Sequence, residues 1–103
     1  MELRGKQKRF LRSEAHHLDP LVQIGKNGVS ETLLDQVDEL LERRELIKVS
    51  LLQNTDEEAK VVAEIFETTL HCHVVQIIGR ILVVFRPSSK EKYQKISTRV
   101  ESI

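Results

Sequence analysis

Two glycines three residues apart, with a cation and an amide between them, are the first place where this chain could hold a ligand: Ile24-Gly25-Lys26-Asn27-Gly28-Val29-Ser30. Glycine admits backbone conformations that a side chain forbids and lets a ligand come close, while Lys26 and Asn27 offer donors to phosphate. Ser30 has the chemistry of a helix N-cap, with Val29 and Leu34 spaced to form a hydrophobic staple around it. Unpaired amides and the positive end of a helix dipole would then lie beside Lys26, a natural place for an anion. The same residues would serve equally as a bare strand-to-helix turn, so the surroundings must decide.

The N-terminal segment is the second candidate. Residues 2–18 contain no glycine after Gly5 and no proline, and on a helical wheel Leu3, Phe10, Leu11, Ala15 and Leu18 gather on one side. Lys6, Lys8, Arg9, Arg12 and His16 share the opposite arc, as in a helix docked by its apolar stripe with a cationic surface outward.

Other chemistry finds little support. His16, His17, His71, Cys72 and His73 invite a zinc reading, but the 71–73 cluster straddles an expected helix end and lacks a second ligand pair at a usual spacing. Cys72 is the single cysteine, which excludes an internal disulfide, and it sits where a small buried hydrophobe would serve. No serine lies in a nucleophile elbow, and no glycine pattern matches a Walker loop or a dinucleotide fingerprint. Asp35, Asp38, Glu39 and Glu42 read as a solvated helix face rather than an acid/base pair. Nothing argues for an enzyme, and no metal or other cofactor is expected.

The elements that must position these residues follow from periodicity. Asp19-Pro20 ends the first helix, and Leu21 to Ile24 is a short strand feeding the glycine loop. Ser30 to Arg44 carries Leu33, Leu34, Val37, Leu40 and Leu41 at helical spacing, with an acidic outer face. Leu46 to Leu52 alternates as a strand, Ile47, Val49 and Leu51 on one side and Leu46, Lys48, Ser50 and Leu52 on the other. Thr55 and Glu58 have capping-box spacing ahead of a helix with a core stripe of Ala59, Val62, Ala63, Phe66 and Leu70, expected to end near His71. His73 to Ile78 and Ile81 to Arg86 are apolar, β-branched runs separated by Gly79-Arg80, a two-residue hairpin suited to a type II′ turn.

The order predicts an α/β fold, α-β-α-β-α-β-β, with a four-stranded mixed sheet and a C-terminal hairpin. Right-handed crossovers place the second and third helices on one face and leave the first for the other face or an edge. The first three strands should run parallel, bringing the glycine loop and the hairpin turn to one sheet edge with Arg80 beside Lys26. Residues 1–89 form the expected domain, and 90–103 a polar basic tail.

The chain has 103 residues, enough for one modest core, with 40% hydrophobic and 31% charged residues. It holds no apolar run near the ~20 residues of a membrane span and no signal-peptide pattern, so a cytoplasmic, soluble protein is expected. Formal net charge is zero, yet sign is segregated. Residues 1–12 carry five cations against Glu2, residues 30–70 eleven carboxylates against four cations, and residues 79–103 six cations against two carboxylates. Such a molecule can be neutral and still turn one basic face to a polyanion.

The segments KQKRFLRSEAHHL, VQIGKNG, LIKV and IIGRILVVFRPS, in this order, make roughly residues 2–89 resemble the CRM domain (chloroplast RNA splicing and ribosome maturation domain) in its stand-alone bacterial form. The resemblance implies a compact α/β fold similar to the C-terminal domain of bacterial translation initiation factor three. It also implies RNA binding and association with precursors of the large ribosomal subunit. Its GxxG motif falls on Gly25, Lys26, Asn27 and Gly28, and its basic helix on Lys6, Lys8, Arg9 and Arg12; the tail after Ser89 lies outside the pattern. The expected partner is RNA, bound by a monomer, with no membrane and no small-molecule substrate. With only Phe10, Phe66, Phe85 and Tyr93 as aromatics, recognition of shape and backbone is expected over base stacking. The competing reading is a protein-interaction module whose acidic second helix meets a basic ribosomal protein.

Overall fold

The computed structural model describes residues 1–103. In chain order the elements are α1 (Gly5–Ala15), β1 (Val22–Ile24), α2 (Glu31–Arg44), β2 (Leu46–Leu51), α3 (Ala59–Leu70), β3 (His73–Ile78), β4 (Ile81–Phe85), a 3-10 turn (Glu91–Tyr93) and α4 (Ile96–Glu101). The four strands form one mixed sheet in the order β1-β2-β4-β3. β1 and β2 are parallel, and β4 runs antiparallel to both β2 and β3. β1, β2 and β3 therefore share one direction, as expected, and their C-terminal ends lie along one edge.

Strand alternation divides the core in two. Ile47, Val49, Leu51, Leu82 and Val84 face α2 and α3, where they bury Val37, Leu41, Val62 and Phe66. Leu46, Val83, Phe85 and Val75 face the other way and bury Leu11 and Ala15 of α1 together with Val100 of α4. The first helix thus covers the face opposite α2 and α3. It is shorter than its apolar stripe suggested: it stops at Ala15, and Leu18 beyond it is exposed. No helix is long and apolar enough to cross a membrane.

Local signals explain most boundaries. The Ser30 hydroxyl accepts the Leu33 amide at 3.1 Å, an N-cap, and Val29 and Leu34 both pack on the larger core. His71 ends α3 in the left-handed region, and Gly79 has φ +59° while Arg80 does not have positive φ, as a type II′ turn requires. The capping box expected at Thr55 and Glu58 is absent. Glu58 itself takes the N-cap position without a side-chain hydrogen bond, and the buried Thr55 hydroxyl instead accepts the Glu57 amide at 3.3 Å. Burial made the short-range turn the better use of that hydroxyl.

The C-terminal residues, read from sequence as polar, close the α1 layer through one buried carboxylate. Glu45 follows α2 at φ +65° and is wholly inaccessible. Its Oε1 accepts the amides of Lys95, Ile96 and Ser97 at 2.9, 2.9 and 3.2 Å, and its Oε2 accepts the Ser88 amide at 2.8 Å and the Ser97 hydroxyl. An acidic side chain from another part of the chain thereby satisfies the first turn of α4. Gln7, also buried, accepts the Arg4 amide at 2.8 Å and donates to the Val100 carbonyl at 3.0 Å, joining α1 to α4.

Candidate functional site

The glycine loop is a tight turn closed by the Gly28 amide on the Gly25 carbonyl at 3.0 Å, with Lys26 and Asn27 exposed at its tip. Neither tip amide donates to a protein acceptor. The two glycines are needed to different degrees. Gly28 has φ +64°, and a Cβ built on it would stand 2.8 Å from Oε1 of Glu57. At Gly25 the added atom would meet only ordinary contacts, 3.4 Å to Asn54 and 3.6 Å to Leu52. Glu57 was not foreseen as a neighbour, and its carboxylate offsets part of the positive potential at the start of α2.

Arg80 reaches across the hairpin turn to the end of β2. Its Nε donates to the Leu51 carbonyl at 3.1 Å and its Nη2 to the Leu52 carbonyl at 2.6 Å, while the Leu51 amide donates to the Arg80 carbonyl at 2.8 Å. The Leu52 amide in turn donates to the Ile24 carbonyl at 2.8 Å, immediately before the glycine loop. Arg80 and the loop are thus joined through a single residue. Arg80 was expected beside Lys26 at this edge; its guanidinium also fastens the edge, and only Nη1 is without a protein acceptor.

Along α1, Lys6, Lys8, Arg9, Arg12 and His16 are all exposed, His16 one residue past the helix end. The arc is not one patch. Arg9, Arg12 and His16 line a cleft between α1 and the sheet; Lys8 borders a separate hollow beside His73, and Lys6 another beside Arg4. Arg12 donates through Nε to the Val75 carbonyl at 3.2 Å, which aims its two terminal nitrogens away from the sheet backbone. Lys48, on the floor of the same cleft, was missed as a functional candidate. Strand alternation placed it on the α1 face, and it lies there half-buried alongside Arg9, Arg12 and His16.

The histidine and cysteine cluster separates into unrelated environments. Cys72 is buried with its thiol on the Phe66 carbonyl at 3.4 Å, and burial pushes its pKa up to about 12, so it is inert. His73 stacks on Phe85 with ring centroids 6.4 Å apart; burial, then the nearby chain N-terminus, lowers its pKa. On α2, the hydroxyl of Ser89 is the main influence holding Glu42 below the usual carboxylate range, helped by the Ser89 amide, Ser88 and Arg86 against the cost of burial. Arg86 pairs with Asp38 at 2.7 Å and Glu42 at 3.3 Å.

Residues 3–86 match the CRS1 / YhbY (CRM) domain. The chain is 50% identical over 90 residues to the probable RNA-binding protein YqeI of Bacillus subtilis, covering 87% of this chain and 94% of that protein. It is 39% identical over 89 residues to an RNA-binding protein of Haemophilus influenzae, covering 86% and 90%. The solution structure of the hypothetical protein SAV1595 from Staphylococcus aureus superposes with a TM-score of 0.74 at 46% identity, over 91% of this chain and 98% of that one. A domain match spanning most of the chain, relatives of nearly equal length and a shared mixed-sheet fold agree: the chain belongs to the CRS1 / YhbY (CRM) domain family.

Proposed function

We propose that this protein binds RNA without catalysing a reaction on it, and that it acts as a monomeric assembly factor on precursors of the large ribosomal subunit in the cytoplasm. Its contacts are Lys6, Lys8, Arg9, Arg12 and His16 on α1, Gly25, Lys26, Asn27 and Gly28 in the loop, and Arg80 on the hairpin turn. One observation carries the reading. The three ion pairs of the molecule involve only Arg86 and Arg99, the latter with Glu14, so no lysine or arginine of the proposed surface is neutralised by a protein carboxylate. Exposed cations without a protein counter-charge, on a molecule of zero net charge, are suited to a polyanion. The names of the relatives point the same way, and the ribosomal role rests on the family resemblance.

The alternative, an acidic α2 meeting a basic protein, loses support from the same accounting. Asp38 and Glu42 are engaged by Arg86, and Glu42 also accepts from Ser88 and Ser89, which leaves a thinner acidic face than the sequence suggests. Crosslinking in cells, followed by mapping of the attached RNA, tests the proposal. Attachment concentrated on large-subunit precursor RNA is expected; failure to crosslink, together with no binding to protein-free RNA, would overturn it.

A further inference from the structure

The cleft beside α1 carries more than the family motifs describe. Its volume is about 370 Å³, and its walls and floor bring together Arg9, Arg12 and His16 from the helix, Lys48 from β2, and Gln76 and Ile78 from β3. No carboxylate lines it. Three permanent cations and an imidazole share this space without a counter-charge, an arrangement whose repulsion an incoming anion would relieve. The sheet register sets the floor: Lys48 pairs across from Val83, and Val83 across from Gln76, so Lys48 and Gln76 stand two strands apart, roughly 10 Å, in one row. A bulge between Val74 and Gln76 brings the amide into that row.

We propose that this cleft seats one unpaired nucleotide of the bound RNA, a reading that rests on the RNA-binding function above. The phosphate lies against Arg9, Arg12 and Lys48. The ribose and base lie toward Gln76 and Ile78, the latter 51% exposed. The cavity is at the lower end of the roughly 300–1,000 Å³ of small-ligand sites, which suits one nucleotide. Charge alone would accept any phosphate, but Ile78 and the Gln76 side-chain amide are of use to a base, which a duplex keeps paired and stacked. The cleft therefore discriminates strand state while the loop edge grips backbone.

The test is titration of the full chain with a fluorescent single-stranded RNA and with a blunt RNA duplex of equal length, for the wild type, Lys48→Met and Gln76→Ala, with thermal melts confirming that each variant folds. Lys48→Met should weaken single-strand binding about tenfold and make the log-log salt slope shallower by about one. Gln76→Ala should weaken single-strand binding several-fold with its salt slope unchanged and leave duplex binding alone. Unchanged single-strand affinity in Lys48→Met, or a Gln76→Ala effect that is absent or equal on both RNAs, would overturn the seat while leaving RNA binding intact. A wild type that binds neither RNA at low salt would overturn the RNA-binding reading itself.

Discussion

The carboxylate of Glu57 lies against Gly28: a methyl group added to that glycine would stand 2.8 Å from Oε1. The conformation of the glycine loop is thus held by its own left-handed φ and by a side chain from the loop before α3. Gly28→Ala should lower stability by roughly 1–3 kcal/mol, the scale of a strained backbone position plus displacement of a neighbour. Gly25→Ala, with only ordinary contacts around its new methyl, should cost less than about 1 kcal/mol. Urea unfolding of the two variants checks the contrast, and equal losses would contradict it.

Glu57 should also temper the ligand. Its negative charge beside Gly28 opposes a polyanion at the loop, so Glu57→Gln should raise RNA affinity a few-fold at low salt, and the gain should shrink as salt screens it. An affinity that falls in this variant would mean that the carboxylate orders the loop for binding rather than repelling the ligand.

Much of this architecture is legible in the chain and some is not, for physical reasons. Ser30, the α2 and α3 stripes and the Gly79-Arg80 turn are local signals, and each sits where periodicity or turn chemistry puts it. Glu45 reads as one more charge after Arg43 and Arg44, because its burial depends on a partner fifty residues away. Glu57 and Lys48 were hidden for the same reason: one needs the docking of a loop, the other the seating of α1 on the sheet. Thr55 was misassigned because a hydroxyl with correct cap spacing found a nearer amide. The proposed site residues were read from charge and glycine pattern, whereas the ion pairing that bypasses them is tertiary.

Stability should fall with acid in two stages. His73 is held below its ordinary 6.5, chiefly by burial. The unfolded chain therefore takes up this proton first, and stability drops as pH falls from about 6.5 toward the lower folded value. Burial alone would raise Glu45, but its hydrogen bonds from Ser97, Ser88 and Lys95 outweigh that and hold it below 4.5, as Glu42 is also held. Their contribution is complete above about pH 4.5 and is lost below it. Urea midpoints measured down the pH scale should show both stages, with Glu45→Gln flattening the lower one and His73→Phe the upper. Glu45→Ala at neutral pH should cost roughly 3 kcal/mol or more by orphaning several buried donors.

Phosphate contacts should dominate affinity, since the proposed surface is rich in lysine and arginine and poor in aromatics. If about five phosphates are neutralised, the log-log salt slope should be about −3.5 to −4.5. A slope near zero would remove the electrostatic basis of binding.

Lys26 and Arg80 should act on one RNA backbone although they play unequal parts in the fold. Lys26 has no ion pair, so Lys26→Glu should weaken RNA binding by roughly 1–3 kcal/mol with little change in melting temperature. Arg80→Glu should weaken binding on the same scale but also lower stability by about 1–2 kcal/mol, because its guanidinium bonds to the carbonyls of Leu51 and Leu52 are lost. Affinities must therefore be measured well below each variant's melting temperature, so that the folded fraction is the same. Under that condition a double-mutant cycle isolates the shared contact. Leu52 joins the Arg80 guanidinium to the strand that enters the loop, so the two losses should fall short of additivity by a measurable coupling. Strictly additive losses would mean separate contacts. If neither reversal alters RNA binding while reversals at Lys8 and Arg12 do, the loop is only a turn and α1 carries the function.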